Sequence, residues 1–448
     1  MNDKRGRRIR IRSTTVILVA GIAAVAASGC EVTNPGPIQD EFLAQPASQQ
    51  GLINGGVRRL AELVSYGTYT NAIVGRELFP GGQTGFMGHD PITQAGHILP
   101  GTFSGFWNDG VQARFITETA IKRFTDVGAP SNMLYQAYLW NAFAYRTMGE
   151  WWCDAVLGPT DPDDTTPGTY EQGSQGNFNR AIDSFTAALG FASTPDETHA
   201  ARGGRAAAHA WMGDWSAAAS DAATIPDDFV FWINYDDETQ AYYNTLFEAN
   251  ARQPAGSYSV IYTFFDDYYT ETGDPRTPWF DDPGIPYATA SLDTYGQVEW
   301  KNQAKYTSRN DDQRLVSGWE MRLVEAEAQL NSGNWQAAMT LINKVRTRNI
   351  SDTTGEPLAP WVAMSLEEAW TFLKRERYIE LWLEGRRLTD ERRWAANNTP
   401  GALDTPDWEN TAFAPGSRTN MFTRQPRSFC LDIPTSERDR NPNVPPIS

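Results

Sequence analysis

Apolar residues recur at three-to-four spacing, with few helix breakers, across residues 111–127, 131–149, 177–190, 198–212, 214–223, 318–331, 334–348 and 365–395. That period lays one apolar stripe along each segment and predicts a helix there. Two stretches interrupt the series. Residues 64–108 set Tyr66, Tyr69, Phe79, Phe86, Phe103, Phe106 and Trp107 among many glycines, and residues 226–306 set Trp232, Tyr235, Trp279, Tyr287, Tyr295 and Trp300 among Asp, Pro and Asn. Lacking periodicity, both read as long irregular loops, and long loops on a rigid frame are usually functional. The chain is therefore expected to be mainly all-α. Its helical frame would occupy about 111–225 and 318–395, with aromatic loop insertions at about 64–108 and 226–306 and a C-terminal strap over 396–448.

A small motif repeats within the frame. Ala142-x-Ala144 is followed by Gly149-x-Trp151, Ala206-x-Ala208 by Gly213-x-Trp215, and Ala326-x-Ala328 by Gly333-x-Trp335. Small residues two apart let a second helix approach, the glycine ends the first helix with positive φ, and the tryptophan opens the next helix and packs back. This is the logic of tetratricopeptide-like helix pairs. The copies lie 64 and 120 residues apart, so insertions separate them.

The first thirty residues read as an address. Lys4, Arg5, Arg7, Arg8, Arg10 and Arg12 precede an apolar run from Thr14 to Ala27, too short to span a bilayer, that ends Ala27-Ser28-Gly29-Cys30. Small residues before a cysteine suit lipoprotein signal peptidase, so residues 1–29 are expected to be a lipoprotein signal peptide and Cys30 the lipidated N-terminus. An ordinary secretory signal with an incidental cysteine is the alternative. No other segment reaches about 18 apolar residues, so membrane attachment would be by lipid alone. Residues 30–448 carry 32 basic against 54 acidic side chains, which argues against nucleic-acid binding by a basic face. Cys153 and Cys430 are the remaining cysteines. They can pair in an oxidising compartment or stay as two buried thiols.

The C-terminal half holds the densest pattern. Glu376-Arg377-x-x-Glu380-Leu381-x-x-Glu384-Gly385-x-Arg387-x-x-Asp390-x-x-Arg393-Trp394 spaces its glutamates four apart, with Arg377, Arg387 and Arg393 one or two turns away. Such spacing suits a structural salt-bridge network along one helix face. The same segment resembles the signature helix of the SusD/RagB family of nutrient-binding outer-membrane lipoproteins. Arg322-x-x-Glu325-Ala326-Glu327-Ala328 and Asn343-x-Val345-Arg346-x-Arg348 are similar to the family's preceding helix pair. Asn34-Pro35, Asp274-Pro275-Arg276, Lys305-Tyr306, Ile433-Pro434 and Asn441-Pro442-Asn443 look like its spaced markers.

The resemblance implies a SusD-like fold over residues 30–448, exposed on the cell surface and anchored in the outer membrane by lipid. It also implies binding without catalysis and without a cofactor. The partner would be a TonB-dependent outer-membrane barrel of the SusC type, which receives the captured nutrient and over which the protein sits as a lid. Either an oligosaccharide or a peptide ligand is compatible, with the oligosaccharide favoured. Trp107, Trp279 and Trp300 stand outside helical periodicity, unlike Trp140, Trp211 and Trp382, and are the candidate stacking rings. Asn108, Asp109, Asp281 and Asp282 would accept hydrogen bonds from sugar hydroxyls. The competing use of each ring is to pack a loop onto the frame.

Metal chemistry finds little support. His89, His97, His199 and His209 are scattered, and Asp161-Pro162-Asp163-Asp164 does not fill the positions of a calcium loop. No phosphate-cradling loop, nucleophile elbow or dinucleotide fingerprint occurs. Two rival readings remain: a secreted tetratricopeptide-like protein-interaction scaffold, and a glycoside hydrolase using paired carboxylates of the signature segment.

Overall fold

Side-chain caps at Thr194, Asp214, Ser317 and Ser365 fix where four of the longer helices begin. In the computed structural model, which describes residues 45–81, 89–239, 242–250, 256–288, 298–405 and 427–447, the longer helices are α1 (Pro46–Val74), α2 (Ser104–Asp126), α3 (Ser131–Trp151), α4 (Gln175–Leu189), α5 (Pro195–Met212), α6 (Trp215–Ala222), α7 (Phe264–Thr272), α8 (Gly318–Asn331), α9 (Trp335–Thr347), α10 (Leu366–Glu380) and α11 (Arg387–Ala396). The expected signal peptide over residues 1–29, Cys30, Asn34-Pro35, Phe86 and Tyr295 lie outside the described residues. At α5 the signals act together: Thr194 and Glu197 form a capping box, Pro195 opens the helix, and Gly213 closes it at φ 80°. Successive helices stack from α3 through α6, then α8, α9 and α10.

The repeated motif works in two of its three copies. Gly213 and Gly333 both hold positive φ, and Trp215 and Trp335 open the following helices. At the first copy α3 runs on through Gly149 to Trp151. There the glycine makes room for a neighbour, since a Cβ on it would meet the Phe178 ring at 2.9 Å.

Two further expectations need correction. Residues 64–74 belong to a helix, α1, and residues 104–108 open α2, so the first loop region is shorter than its glycines suggest. Gly67 marks a close approach instead of a loop, because a Cβ there would collide with Trp151 at 2.0 Å. The segment 365–395 is also two helices. After Glu380 the chain turns through Leu383 (φ 57°) and Gly385 (φ 69°) before α11. A side chain at Gly385 would be strained by that φ and would crowd Thr68 and Trp151 at 3.1 Å.

Among the described residues eight short strands punctuate the helices: β1 (Phe79–Pro80), β2 (Ala155–Leu157), β3 (Thr169–Glu171), β4 (Val230–Ile233), β5 (Tyr258–Ser259), β6 (Trp279–Asp281), β7 (Lys301–Gln303) and β8 (Gln313–Ser317). They pair antiparallel as β1–β5, β2–β3, β4–β8 and β6–β7, so residues 226–306 are partly regular. One core cluster gathers Leu63, Phe143, Trp152, Phe185 and Val316, and a second gathers Ile73, Leu323, Ile342, Leu373 and Trp382.

The end of the chain is tied to α3. Leu431 bridges Trp152 in parallel, and Leu431, Ile433 and Val444 join the first core cluster. Beside that bridge Cys153 and Cys430 form a disulfide, with Cα atoms 5.2 Å apart across 277 residues of sequence. Closing so long a loop removes conformational freedom from the unfolded chain.

Candidate ligand-binding cleft

The carboxylates of the signature segment are all held by cations. Arg276 reaches Glu376 at 2.6 Å and Glu380 at 3.0 Å while gripping Asp274 at 2.7 Å. Arg314 reaches Glu380 at 3.2 Å and also pairs with Glu384, which Lys305 meets at 2.6 Å. Arg348 places Nη2 at 3.0 Å from Glu380. Further along, Arg393 meets Glu327 at 2.6 and 2.9 Å and Asp390 at 3.1 Å, Arg377 meets Asp390 at 2.7 Å, and Arg387 meets Glu391 at 3.1 Å. Trp394 donates its indole N–H to Glu327 at 2.7 Å. The salt-bridge reading of the spacing describes this arrangement, with one correction: Glu384 lies past the helix end and not on the same helix face as Glu376 and Glu380.

These charges set the chemistry available. Burial alone would raise the Glu380 carboxyl, but Arg314, Arg276 and Arg348 outweigh it and hold the group below the usual glutamate range. A carboxylate kept ionised in that way is a poor proton donor to a glycosidic oxygen.

Over this network opens a cleft of about 790 Å³, walled by Trp232, Pro275, Arg276, Lys305, Tyr306, Arg314, Arg348, Glu380 and Glu384. That volume suits a small ligand. The spaced markers Asp274-Pro275-Arg276 and Lys305-Tyr306, far apart in sequence, converge here with Arg348. Trp232 supplies the apolar wall. It pairs across the β4–β8 ladder with Arg314, so both side chains project from the same face of the ribbon. With 42% of its surface exposed, it is the most open tryptophan among the described residues.

The aromatic candidates from sequence are placed otherwise. Trp107 is only 2% exposed, packs edge-on against Trp152 at 5.4 Å and donates to Glu437 at 3.2 Å. Trp300 is 3% exposed, its ring lying against Gly256, where a Cβ would meet it at 3.0 Å. Neither ring can stack on a ligand from solution, so for these two the packing role replaces the binding role. Trp279 is half-buried, with Lys301 Nζ 4.4 Å from its ring centre and its N–H donated to the Asp266 carbonyl at 3.3 Å. Asn108 is exposed on α2, and Asp109 beside it accepts from Arg59 at 3.4 Å. Burial, then the Glu62 charge, pushes the Asp109 carboxyl up to about 6. Asp281 is exposed at the end of β6, and Asp282 caps its own turn by accepting from Gly284 N at 2.8 Å. These residues do not assemble into one surface: Trp107 belongs to the first core cluster, whereas Trp279 packs against the second.

A stack of helix pairs, strapped by its C-terminus and interrupted by short two-stranded ribbons, defines a SusD-like architecture. Residues 319–445 match the family model described as the SusD family. A solved SusD superfamily protein from Bacteroides thetaiotaomicron superposes with a TM-score of 0.66 at 16% identity, covering 89% of this chain and 98% of the other. Surface glycan-binding protein A from Bacteroides uniformis gives 0.64 at 15% identity, covering 89% and 99%. A SusD-like carbohydrate binding protein from Bacteroides vulgatus gives 0.63 at 16%, covering 89% and 97%. No curated protein matches the chain significantly in sequence. The resemblance to SusD/RagB proteins thus holds in fold across most of the chain and in sequence over its C-terminal part.

Proposed function

We propose that the chain is a SusD-type nutrient-binding lipoprotein that captures an oligosaccharide in the cleft beneath Trp232 and delivers it to a SusC-type TonB-dependent barrel. The observation that carries this reading is the fold it shares, over 89% of its length, with a surface glycan-binding protein. The cleft supports it by offering an exposed aromatic plane next to polar groups, the combination that recognises sugar rings. The protein binds without catalysing, consistent with Glu376, Glu380 and Glu384 all lying in ion pairs. Cys30 carries the lipid that holds the mature chain at the outer membrane, and among the described residues no helix is long and apolar enough to cross a membrane.

Two measurements test this. Purification from detergent-solubilised outer membranes of the native host should yield the barrel together with the chain, and Cys30→Ala should lose lipid labelling. Isolation with no barrel would favour the secreted scaffold, and release of reducing ends from an oligosaccharide would favour the hydrolase.

A further inference from the structure

Among the cations of the cleft, Arg348 is spent least. Arg276 and Arg314 each use all three nitrogens on carboxylates or a backbone carbonyl, and Lys305 binds Glu384 and the Trp382 carbonyl. Arg348 uses Nη2 alone, on Glu380, and its Nε and Nη1 have no hydrogen-bond partner among the described residues. Its side chain stays 29% exposed at the cleft wall, with the Trp319 ring 4.2 Å behind the guanidinium. Glu380 does not neutralise it alone, because that carboxylate is shared with Arg276 and Arg314. Burial and then those two neighbouring cations, against the pull of Glu380, lower the Arg348 guanidinium from its ordinary range. Such a cation gains from any anion that arrives.

The acidic residues of the cleft are differently placed. Asp311 accepts from Ser308 N at 2.9 Å and Thr307 Oγ1 at 3.2 Å, and Asp312 accepts from Tyr235 N at 2.9 Å and Asn234 Nδ2 at 2.7 Å. They brace turns with their oxygens, whereas Arg348 turns unused donors to solvent.

We infer that the cleft selects a carboxylated sugar, a uronate unit of an acidic glycan, with the ring face on Trp232 and the carboxylate on Arg348. The inference rests on the glycan-binding reading above. The chain's excess of acidic residues makes the selection local, since the overall field repels a polyanion. A neutral sugar would stack on Trp232 equally well but would leave the Arg348 donors to water.

Calorimetry on the full mature chain, titrated with oligogalacturonate and oligoglucuronate and with their carboxyl-reduced neutral counterparts, tests the inference. The acidic member of a pair should bind at least ~10-fold tighter, the ratio expected for hydrogen bonds to a charged group. Arg348→Ala should abolish that ratio, bringing the acidic member of each pair to the affinity of its neutral counterpart in the same variant. Arg348→Gln serves as a second variant that keeps a polar amide and removes the charge, and the wild-type ratio stands even if neither variant folds. Equal binding of acidic and neutral oligosaccharides, or a uronate preference that survives both substitutions, overturns the inference and leaves the glycan reading intact. Binding of neutral glycans alone does the same. If no glycan binds and an acidic peptide does, both readings fall.

Discussion

Glu327, Asp390 and Glu391 at one end of the signature region, and Glu380 and Glu384 at the other, are all paired with basic side chains, yet they meet different surroundings. At the first end the partners come from α8, α10, α11 and, for Glu391, also Arg427, and Arg377, Arg393, Glu327 and Asp390 are all buried. At the second end the partners come from the ribbon strand β8, from Arg276 after α7, from Lys305 after β7 and from Arg348 after α9, and the network forms the wall of an open cleft. The first end is sealed by helix packing. At the second the carboxylates are buried as well, but their cations Lys305, Arg314 and Arg348 keep 16, 18 and 29% of their side chains exposed along the cleft. Identical residue types and similar spacing therefore yield a structural clamp at one end and a binding wall at the other. What separates them is the tertiary neighbour, not the local pattern.

Breaking the sealed end should have the largest effect. Arg393→Ala leaves Glu327 and part of Asp390 buried without a cation, and removing one partner of a buried pair costs about 4 kcal/mol. Denaturant midpoints of wild type and variant, read by tryptophan fluorescence, would measure it. A change below ~1 kcal/mol, the range of exposed pairs, would show that water enters this end too.

Between the two ends sits Glu77, buried and accepting from the Leu383 amide at 3.0 Å where the chain turns after α10. Burial raises its carboxyl to about 7, despite the opposing charges of Arg387 and Lys305. The folded pKa lies above the unfolded one, so the contribution of Glu77 is fully present below the ordinary value of 4.5 and is lost as pH rises towards 7. Glu77→Gln keeps the acceptor oxygen and removes the titration. Relative to wild type the variant should gain about 3 kcal/mol between pH 4 and pH 8. A difference that stays flat with pH would mean that water or Arg387 stabilises the ionised form.

Much of the frame was legible because its apolar stripes are regular: α8 matches its expected bounds, and α4, α5, α6 and α9 differ by three residues or fewer at either end. α1 escaped because Gly56 and Gly67, which permit helices to touch, carry the same signal as loop glycines. The buried face of α2 starts at Trp107, but only Gly110 follows it before residue 111, so the apolar period does not reach back to Trp107 and the ring reads as a loop aromatic. Of the cleft, Glu380 and Glu384 were legible as ion-pair residues. Trp232 was not, since Val230-Phe231-Trp232-Ile233 is apolar throughout and gives no alternation to say which ring faces water. A register shift between Phe231 and Trp232 decides that face, and it belongs to the pairing with β8.

The smallest expected effect on stability comes from Trp232, and it separates the open end from the sealed one most cleanly. Its ring is the most open among the described tryptophans, so Trp232→Ala removes less buried area than a core truncation and should change folding stability by about 1 kcal/mol. Trp107→Ala would instead open a cavity in the core and cost about 4 kcal/mol. Binding should show the reverse order. If the ligand stacks on Trp232, its loss weakens affinity by roughly 2 kcal/mol, as truncation of an aromatic anchor does. Trp107, closed off behind Trp152 and Glu437, should leave affinity unchanged in whatever fraction of the variant folds. Glycan titrations and thermal melts on the two variants decide the matter together. A Trp232→Ala protein that keeps full affinity for an identified glycan would move the ligand away from this cleft, and one that loses stability as heavily as the Trp107 variant would make Trp232 a packing residue.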